Sequence, residues 1–279
     1  MMMRRSAIFD LDGTLTDSKP GILGCLTNTL EAHGIAWTGP LDWFIGPPAD
    51  QSLRRLMPEA DEGRRAALLH DYRLCYDATG WQQNSVYRGV PAVLQSLQSS
   101  GWQLFVCTSK REDFALRILE KFALNRYFLA LYADTDILHH TKTALLGRLL
   151  EEQSLDPATT FMVGDRNFDI EAARANGVPS IAVTYGYGTA EELEAARPDH
   201  TCNAVEDLLP IFSALTSAPF PRTRAFDDRT RYTTPAATLP STPVLSSLPR
   251  PEQLVCLTAV RLADPACALS VPISLAPHS

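Results

Sequence analysis

The chain lacks most of the features that would place it in a specialised class. It has no clustered lysines and arginines, and its formal net charge is −7 over 279 residues, so a nucleic-acid phosphate backbone has nothing to bind. It has no uncharged apolar run of about 18 residues or more, as a membrane-spanning helix requires. The stretch from Leu254 to Ala276 comes nearest and is broken by Arg261, Asp264, Pro265 and Pro272. Cysteines are few, and Cys25, Cys75, Cys107, Cys202, Cys256 and Cys267 show none of the close spacings of a zinc site. Buried free thiols in a reducing compartment are the expectation. The opening Met1-Met2-Met3-Arg4-Arg5 is followed by an apolar stretch that Asp10 and Asp12 interrupt, which argues against a signal peptide and for a cytoplasmic protein. What remains is an ordinary globular mixture, 45% apolar and 20% charged, with ample material for one large core or two modest ones.

Strand-like and helix-like stretches alternate along most of it. Ala7-Ile8-Phe9, Gln103 to Ser109, Phe128 to Tyr132, Thr160 to Val163 and Ser180 to Tyr185 read as short buried strands. Helical patterns fill the intervals, over 89–100, 111–122, 142–153, 170–175 and 204–215, the last containing Pro210 as a candidate kink. That rhythm predicts a parallel sheet with helices on both faces. From Lys19 to Val86 there is no strand signal. Helices are expected over 19–33, 49–57 and 61–78, with a turn-rich stretch, Trp37 to Pro48, between the first two. The division this predicts is an α/β, Rossmann-like core of residues 1–18 and 87–215 with an inserted helical cap of residues 19–86. Ten of the chain's 20 prolines fall after position 215, and so dense a supply removes helix and ladder hydrogen bonds. Residues 216–279 are therefore expected to form a disordered tail.

The polar residues with chemical potential sit where strands end. Asp10 and Asp12 follow the first strand and leave one face of an extended chain, and Gly13 turns the backbone away. Thr108 and Ser109 end the second long strand; Asp165 follows Gly164, with Asp169 four residues on. Lys142 starts a helix. Taken singly, each has an ordinary explanation: an acidic turn, capping hydroxyls, a solvated lysine, carboxylates at a helix N-terminus. His139 and His140 precede Lys142 but no cysteine or carboxylate spacing supports a zinc site there.

Together, and in this order, the four clusters resemble those of the haloacid dehalogenase superfamily of phosphohydrolases. The resemblance covers roughly residues 6 to 215. Tyr87-Arg88-Gly89-Val90-Pro91, Gly164-Asp165-Arg166 and Tyr185-Gly186-Tyr187-Gly188 resemble its phosphoglycolate phosphatase and 5′-nucleotidase branch. Arg111 stands where that branch commonly has proline and Arg88 where it has an acidic or apolar residue; neither falls in the four clusters.

The resemblance implies a phosphomonoesterase acting on a small-molecule phosphate monoester, phosphoglycolate or a nucleoside monophosphate. Asp10 would be the nucleophile that forms an aspartyl-phosphate, and Asp12 the acid and base. Thr108 and Lys142 would hold phosphoryl oxygens, with Gly13, Thr14 and Ser109 beside the phosphate and Thr14 orienting Asp12. Mg²⁺ would be held by Asp10, Asp165, Asp169 and the backbone carbonyl of Asp12. A hard cation fits an all-oxygen donor set, and it lets an anionic nucleophile approach an anionic ester. Phe44 to Pro48 is the expected leaving-group loop of the cap. A phosphomutase shares the same four clusters, and a non-catalytic binding protein on this scaffold is the third reading.

Overall fold

The computed structural model describes residues 5–135 and 141–217, with the backbone alone of 217 and of 260–261. Strands β1 (Ser6–Phe9), β4 (Gln103–Arg111), β5 (Ala130–Asp134), β6 (Thr160–Gly164), β7 (Ser180–Val183) and β8 (His200–Cys202) form a parallel sheet in the order β8-β7-β6-β1-β4-β5. Parallel neighbours cannot be joined by hairpins. Helices α4 (Val90–Ser99), α5 (Glu112–Lys121), α6 (Lys142–Glu152), α7 (Asn167–Ala175), α8 (Ala190–Ala196) and α9 (Leu208–Ser217) supply the crossovers and flanks.

Side chains of β1 alternate between two cores, as a pleated strand requires. Ala7 and Phe9 join Val93 and Leu94 of α4, Ile118 of α5 and Phe212 of α9. Ile8 faces the other way, with Leu145 and Leu149 of α6 and Ala172 of α7. β1 lies centrally between β4 and β6, and the order reverses there. That switch point leaves a crevice beyond the strands' C-terminal ends, into which Asp10, Thr108 and Asp165 emerge.

The second unit is inserted after β1. A two-residue antiparallel ribbon, β2 (Thr16–Asp17) with β3 (Ser85–Val86), closes its base. Between them α1 (Lys19–Ala32), α2 (Ala49–Leu56) and α3 (Glu62–Ala78) bury one apolar set: Leu26 and Leu30, Leu53 and Leu56, and Leu68 with Tyr72 and Tyr76. Asp61 caps α3 by accepting the Arg64 N–H at 2.8 Å. The insert is helical as its patterning predicts, and its edges are not: Ser85–Val86 is too short a strand to show periodicity.

Other differences have local causes. α7 begins at Asn167, not Ile170, because the Asp169 carboxylate accepts the Arg166 N–H at 3.0 Å and closes a first turn. β4 runs to Arg111, past an irregularity between Cys107 and Arg111 that directs its polar end into the crevice. Pro210 is the third residue of α9, inside the first turn, where no intrahelical N–H bond is lost. α8 and β8 carry too few apolar residues to stand out in the sequence. The expected tail starts two residues too early, because Thr216 and Ser217 end α9; the rest of it lies outside the described residues, apart from Val260–Arg261, which forms the antiparallel strand β9 on the edge of β5. Among the described residues no helix is long and apolar enough to cross a membrane.

Candidate active site

The site is built by a tight turn after β1. Leu15 and Thr16 both donate N–H to the Leu11 carbonyl, at 2.9 and 3.0 Å, and Gly13 donates to Thr16 O at 2.8 Å. Gly13 holds φ at +86°, and a Cβ there would lie 2.1 Å from Asp165 Oδ2; a side chain is excluded on both counts. Gly186 approaches from the far side, where a Cβ would sit 2.3 Å from Asp165 Cβ. Two glycine turns thus grip one carboxylate.

Asp10, Asp165 and Asp169 are all buried, and each offers an oxygen within 4.8 Å of the others. Lys142, itself buried at the start of α6, places Nζ 2.8 Å from Asp10 Oδ2 and against Asp169 Oδ1. Asp165 is further held by Thr14 Oγ1, donating to Oδ1 at 3.2 Å, and by the Tyr187 N–H, donating to Oδ2 at 2.7 Å. One ammonium therefore serves two of three clustered carboxylates. Burial pushes the Asp10 carboxyl up to about 6, Lys142 opposes the rise, and Asp169 adds to it. Burial likewise raises Asp165 well above the carboxylate range, reinforced by Asp169 and Asp10. Burial alone would lower Lys142, yet Asp10 and Asp169 outweigh it and raise its pKa above the ordinary lysine range.

The buried oxygens Asp10 Oδ1 and Asp12 Oδ1 have no hydrogen-bond partner. An unsatisfied buried acceptor is costly, and here it coincides with excess negative charge in an all-oxygen donor set. Asp10, Asp165 and Asp169 thus fit a hard divalent cation.

The other expected residues gather around this cluster in different roles. Thr108 is buried in the C-terminal half of β4 and its hydroxyl accepts the Lys110 N–H at 3.2 Å; Ser109 lines the adjoining cleft. Gly13 and Thr14 turn their N–H groups into the loop, toward Thr16 O and Leu11 O, so they shape the turn. The Thr14 hydroxyl engages Asp165 and not Asp12, a correction to the sequence expectation. The partner of Asp12 is Lys110, with Nζ 2.7 Å from Asp12 Oδ2 and 4.9 Å from the centre of the Tyr76 ring. His139 and His140 lie outside the described residues.

The cleft beside Asp12 is walled by the loop Phe44 to Pro48, by Tyr72 and Tyr76 of α3, and by Phe114 of α5, with Lys110 and Arg111 at its rim. Sequence reasoning placed the Phe44–Pro48 loop and missed Lys110, Arg166 and Tyr187 as site residues. Tyr187 ties the core to the insert: its hydroxyl accepts the Lys19 N–H of α1 at 3.0 Å and the Ser18 N–H at 2.7 Å, and donates to Asp17 Oδ1 at 2.9 Å. The one available signal was position, since each stands directly beside a motif residue.

A family model described as haloacid dehalogenase-like hydrolase matches residues 7–183. The chain belongs to this family. Among curated relatives, this haloacid dehalogenase-like hydrolase is 38% identical over 198 residues to the 5′-nucleotidase of Pseudomonas aeruginosa, covering 70% of this chain and 89% of that one. It is 37% identical over 191 residues to tyrosine-protein kinase PtkA of Mycobacterium tuberculosis, covering 67% and 64%. It is 34% identical over 224 residues to the phosphoglycolate phosphatase of Agrobacterium fabrum, covering 77% and 91%. Among solved structures, a predicted phosphatase from Clostridium acetobutylicum superposes with a TM-score of 0.72 at 35% identity, over 76% of this chain and 99% of that one.

Proposed function

We propose that this haloacid dehalogenase-like hydrolase is a Mg²⁺-dependent phosphomonoesterase that works through an aspartyl-phosphate. The observation that carries the reading is the buried cluster of Asp10, Asp165 and Asp169 at the end of β1, where Asp10 and Asp169 share one cation, Lys142, and Asp10 keeps an oxygen free of partners. Asp10, Asp165 and Asp169 would hold the Mg²⁺, whose charge lets a phosphate dianion approach a carboxylate.

The remaining chemistry belongs to the chain. Asp10 attacks phosphorus while Asp12 delivers a proton to the departing alkoxide; the ester P–O bond breaks and an acyl phosphate forms. Asp12 then takes a proton from water, which hydrolyses the acyl phosphate and restores both carboxyl groups. Lys142 and the Thr108 hydroxyl offset the charge that builds on the phosphoryl oxygens. Residues 19–86 act as the cap that covers this step, and Lys110 orients Asp12.

The cleft wall bears on the substrate. Phe44, Tyr72, Tyr76 and Phe114 are buried side chains that meet edge to face or stacked, with centroids 4.9 to 6.0 Å apart. Such a wall rewards an apolar or aromatic leaving group. A nucleoside monophosphate fits it better than phosphoglycolate, whose leaving group is small and anionic. The names of the P. aeruginosa and A. fabrum relatives represent both classes.

Phosphate release would be measured from nucleoside monophosphates, phosphoglycolate, sugar phosphates and pyridoxal phosphate, with Mg²⁺ and with a chelator. Mg²⁺-dependent release that Asp10→Asn abolishes is the expected result. Interconversion of sugar phosphates without release would make the chain a mutase, and no turnover of any ester would remove the enzymatic reading.

A further inference from the structure

We propose that Arg166 is a positioning residue that couples the cap loop Phe44 to Pro48 to the loop that carries Asp165 and Asp169. Arg166 follows Asp165 directly and is 6% exposed. A guanidinium so buried is destabilising unless its donors are used, and the hydrogen bonds of Arg166 lead to different parts of the site. Its backbone N–H donates to Asp169 Oδ2 at 3.0 Å. Nε donates to Glu192 Oε1 of α8 at 2.8 Å, and the same oxygen accepts the Asn167 N–H at 2.9 Å. Nη1 donates to the carbonyl oxygen of Ile45, 121 residues away in the chain.

That last bond crosses from core to cap. Glu192 neutralises the guanidinium from the core side, so the cap receives an oriented and charge-assisted donor. The receiving loop is shaped for it. Gly46 holds φ at +117°, and a Cβ there would lie 3.0 Å from Arg166 Nη1. The loop's other ties are short-range, Ile45 N–H to Asp42 O at 3.1 Å and Ser52 Oγ to Phe44 O at 3.3 Å. The loop's residues also line the cleft beside Asp12 and Lys110. A leaving group lodged in the cleft therefore presses on a loop whose carbonyl is held by the residue that also fixes Asp169.

The test compares the full chain with Arg166→Ala, Arg166→Lys and Gly46→Ala. Hydrogen exchange is expected to quicken about tenfold or more over 44–48 in Arg166→Ala, the worth of one bond to a charged group, while β1 and β6 keep their protection. Arg166→Lys is expected to fall between, because a single ammonium cannot serve both Glu192 and Ile45 O. Gly46→Ala disturbs the same contact from the cap side, so combining it with Arg166→Ala is expected to add less than the sum of the two.

The kinetic arm rests on the phosphomonoesterase reading: KM for a nucleoside monophosphate rises about tenfold in Arg166→Ala, and by much more than KM for methyl phosphate, which does not reach the loop. Unchanged exchange over 44–48 would overturn the coupling, and so would equal quickening in β1 and β6, which marks a merely structural residue. Equal rises of KM on both substrates would also overturn it. If the wild-type chain releases phosphate from nothing, the functional reading falls and the exchange arm still decides the role of Arg166.

Discussion

Asp10→Asn is expected to stabilise the metal-free chain at pH 8 while abolishing turnover. In the folded chain the Asp10 carboxyl is raised from 3.8 to about 6, chiefly by burial. The folded state therefore holds a proton that the unfolded chain releases. The sign follows from linkage: this group's contribution is fully present below the unfolded value and is lost as pH rises through the folded one, between about pH 4 and pH 6. A rise from 3.8 to about 6 corresponds to about 3 kcal/mol against the ionised form, at about 1.4 kcal/mol for each tenfold change. Asn removes the charge, keeps the shape, and still offers Lys142 an oxygen. The variant should gain about 1 to 3 kcal/mol at pH 8, or about 3 to 10 °C in Tm for a domain of this size, shrinking to under about 1 kcal/mol near pH 4.

Thermal unfolding in a chelator, wild type against variant at several pH values, reads this directly, because the difference cancels titration elsewhere in the chain. Adding Mg²⁺ then supplies a second reading. The wild type should gain about 3 kcal/mol at a hundredfold excess over Kd, and the variant much less. A variant no more stable than wild type at pH 8, or a gain that is the same at pH 4 and pH 8, would refute the claim that the cluster holds uncompensated charge.

Three further outcomes are expected. Gly186→Ala would force a methyl group to within 2.3 Å of Asp165 Cβ and 2.4 Å of the Gly13 carbonyl oxygen; a shift of the order of 1 Å in the carboxylate should lower turnover about a hundredfold, seen in kcat with the secondary structure retained by circular dichroism. Lys142→Met leaves the buried Asp10 and Asp169 without their cation and should cost about 3 to 5 kcal/mol at pH 8 in a chelator, with part of the loss recovered when Asp10→Asn is added, as denaturant melts would report. A chain ending after Ser217 loses the two-residue pairing of Val260–Arg261 with β5, worth about 1 kcal/mol, and should keep turnover within about twofold; failure to fold in soluble form would show that the C-terminal segment contributes to the core.

The acidic cluster was legible because parallel topology does the assembling. Strands that all run one way deliver every motif at a strand's C-terminal end to the same edge, so motif order along the chain converts to proximity in space. Asp10, Asp165 and Asp169 needed nothing further than that. Lys110 was illegible because its direction depends on the irregularity in β4 between Cys107 and Arg111, which no periodicity announces. Thr14 was assigned to the nearer carboxylate in sequence, Asp12, while the turn geometry aims its hydroxyl at Asp165. The bond from Arg166 to Ile45 joins the helical insert and the core across 121 residues, and only the docking of two separate units creates it. The ribbon Thr16–Asp17 with Ser85–Val86 was missed for a related reason: two residues per strand carry no pattern, and their pairing is set by the helical insert that separates them.

The glycines decide whether the acidic turn after β1 is a solvated turn or a site. A Cβ at Gly13 would lie 2.1 Å from Asp165 Oδ2, at Gly164 2.1 Å from Asp169 Cγ, at Gly186 2.3 Å from Asp165 Cβ, and at Gly188 2.1 Å from the Asp165 carbonyl oxygen. Four positions, one ending β6 and three on the loops after β1 and β7, have given up their side chains to let backbone close around two carboxylates. Glycine raises the entropy lost on folding, and burying the carboxylates adds an electrostatic penalty that Lys142 does not cancel. A turn selected for stability alone would have neither cost, since apolar side chains of similar volume fill such a space at least as well. Both costs become intelligible together if the enclosed charge is there to meet a cation and a phosphate. Stabilisation of the metal-free chain by Asp10→Asn and its collapse on Lys142→Met are thus two readings of one arrangement, and they must move in opposite directions.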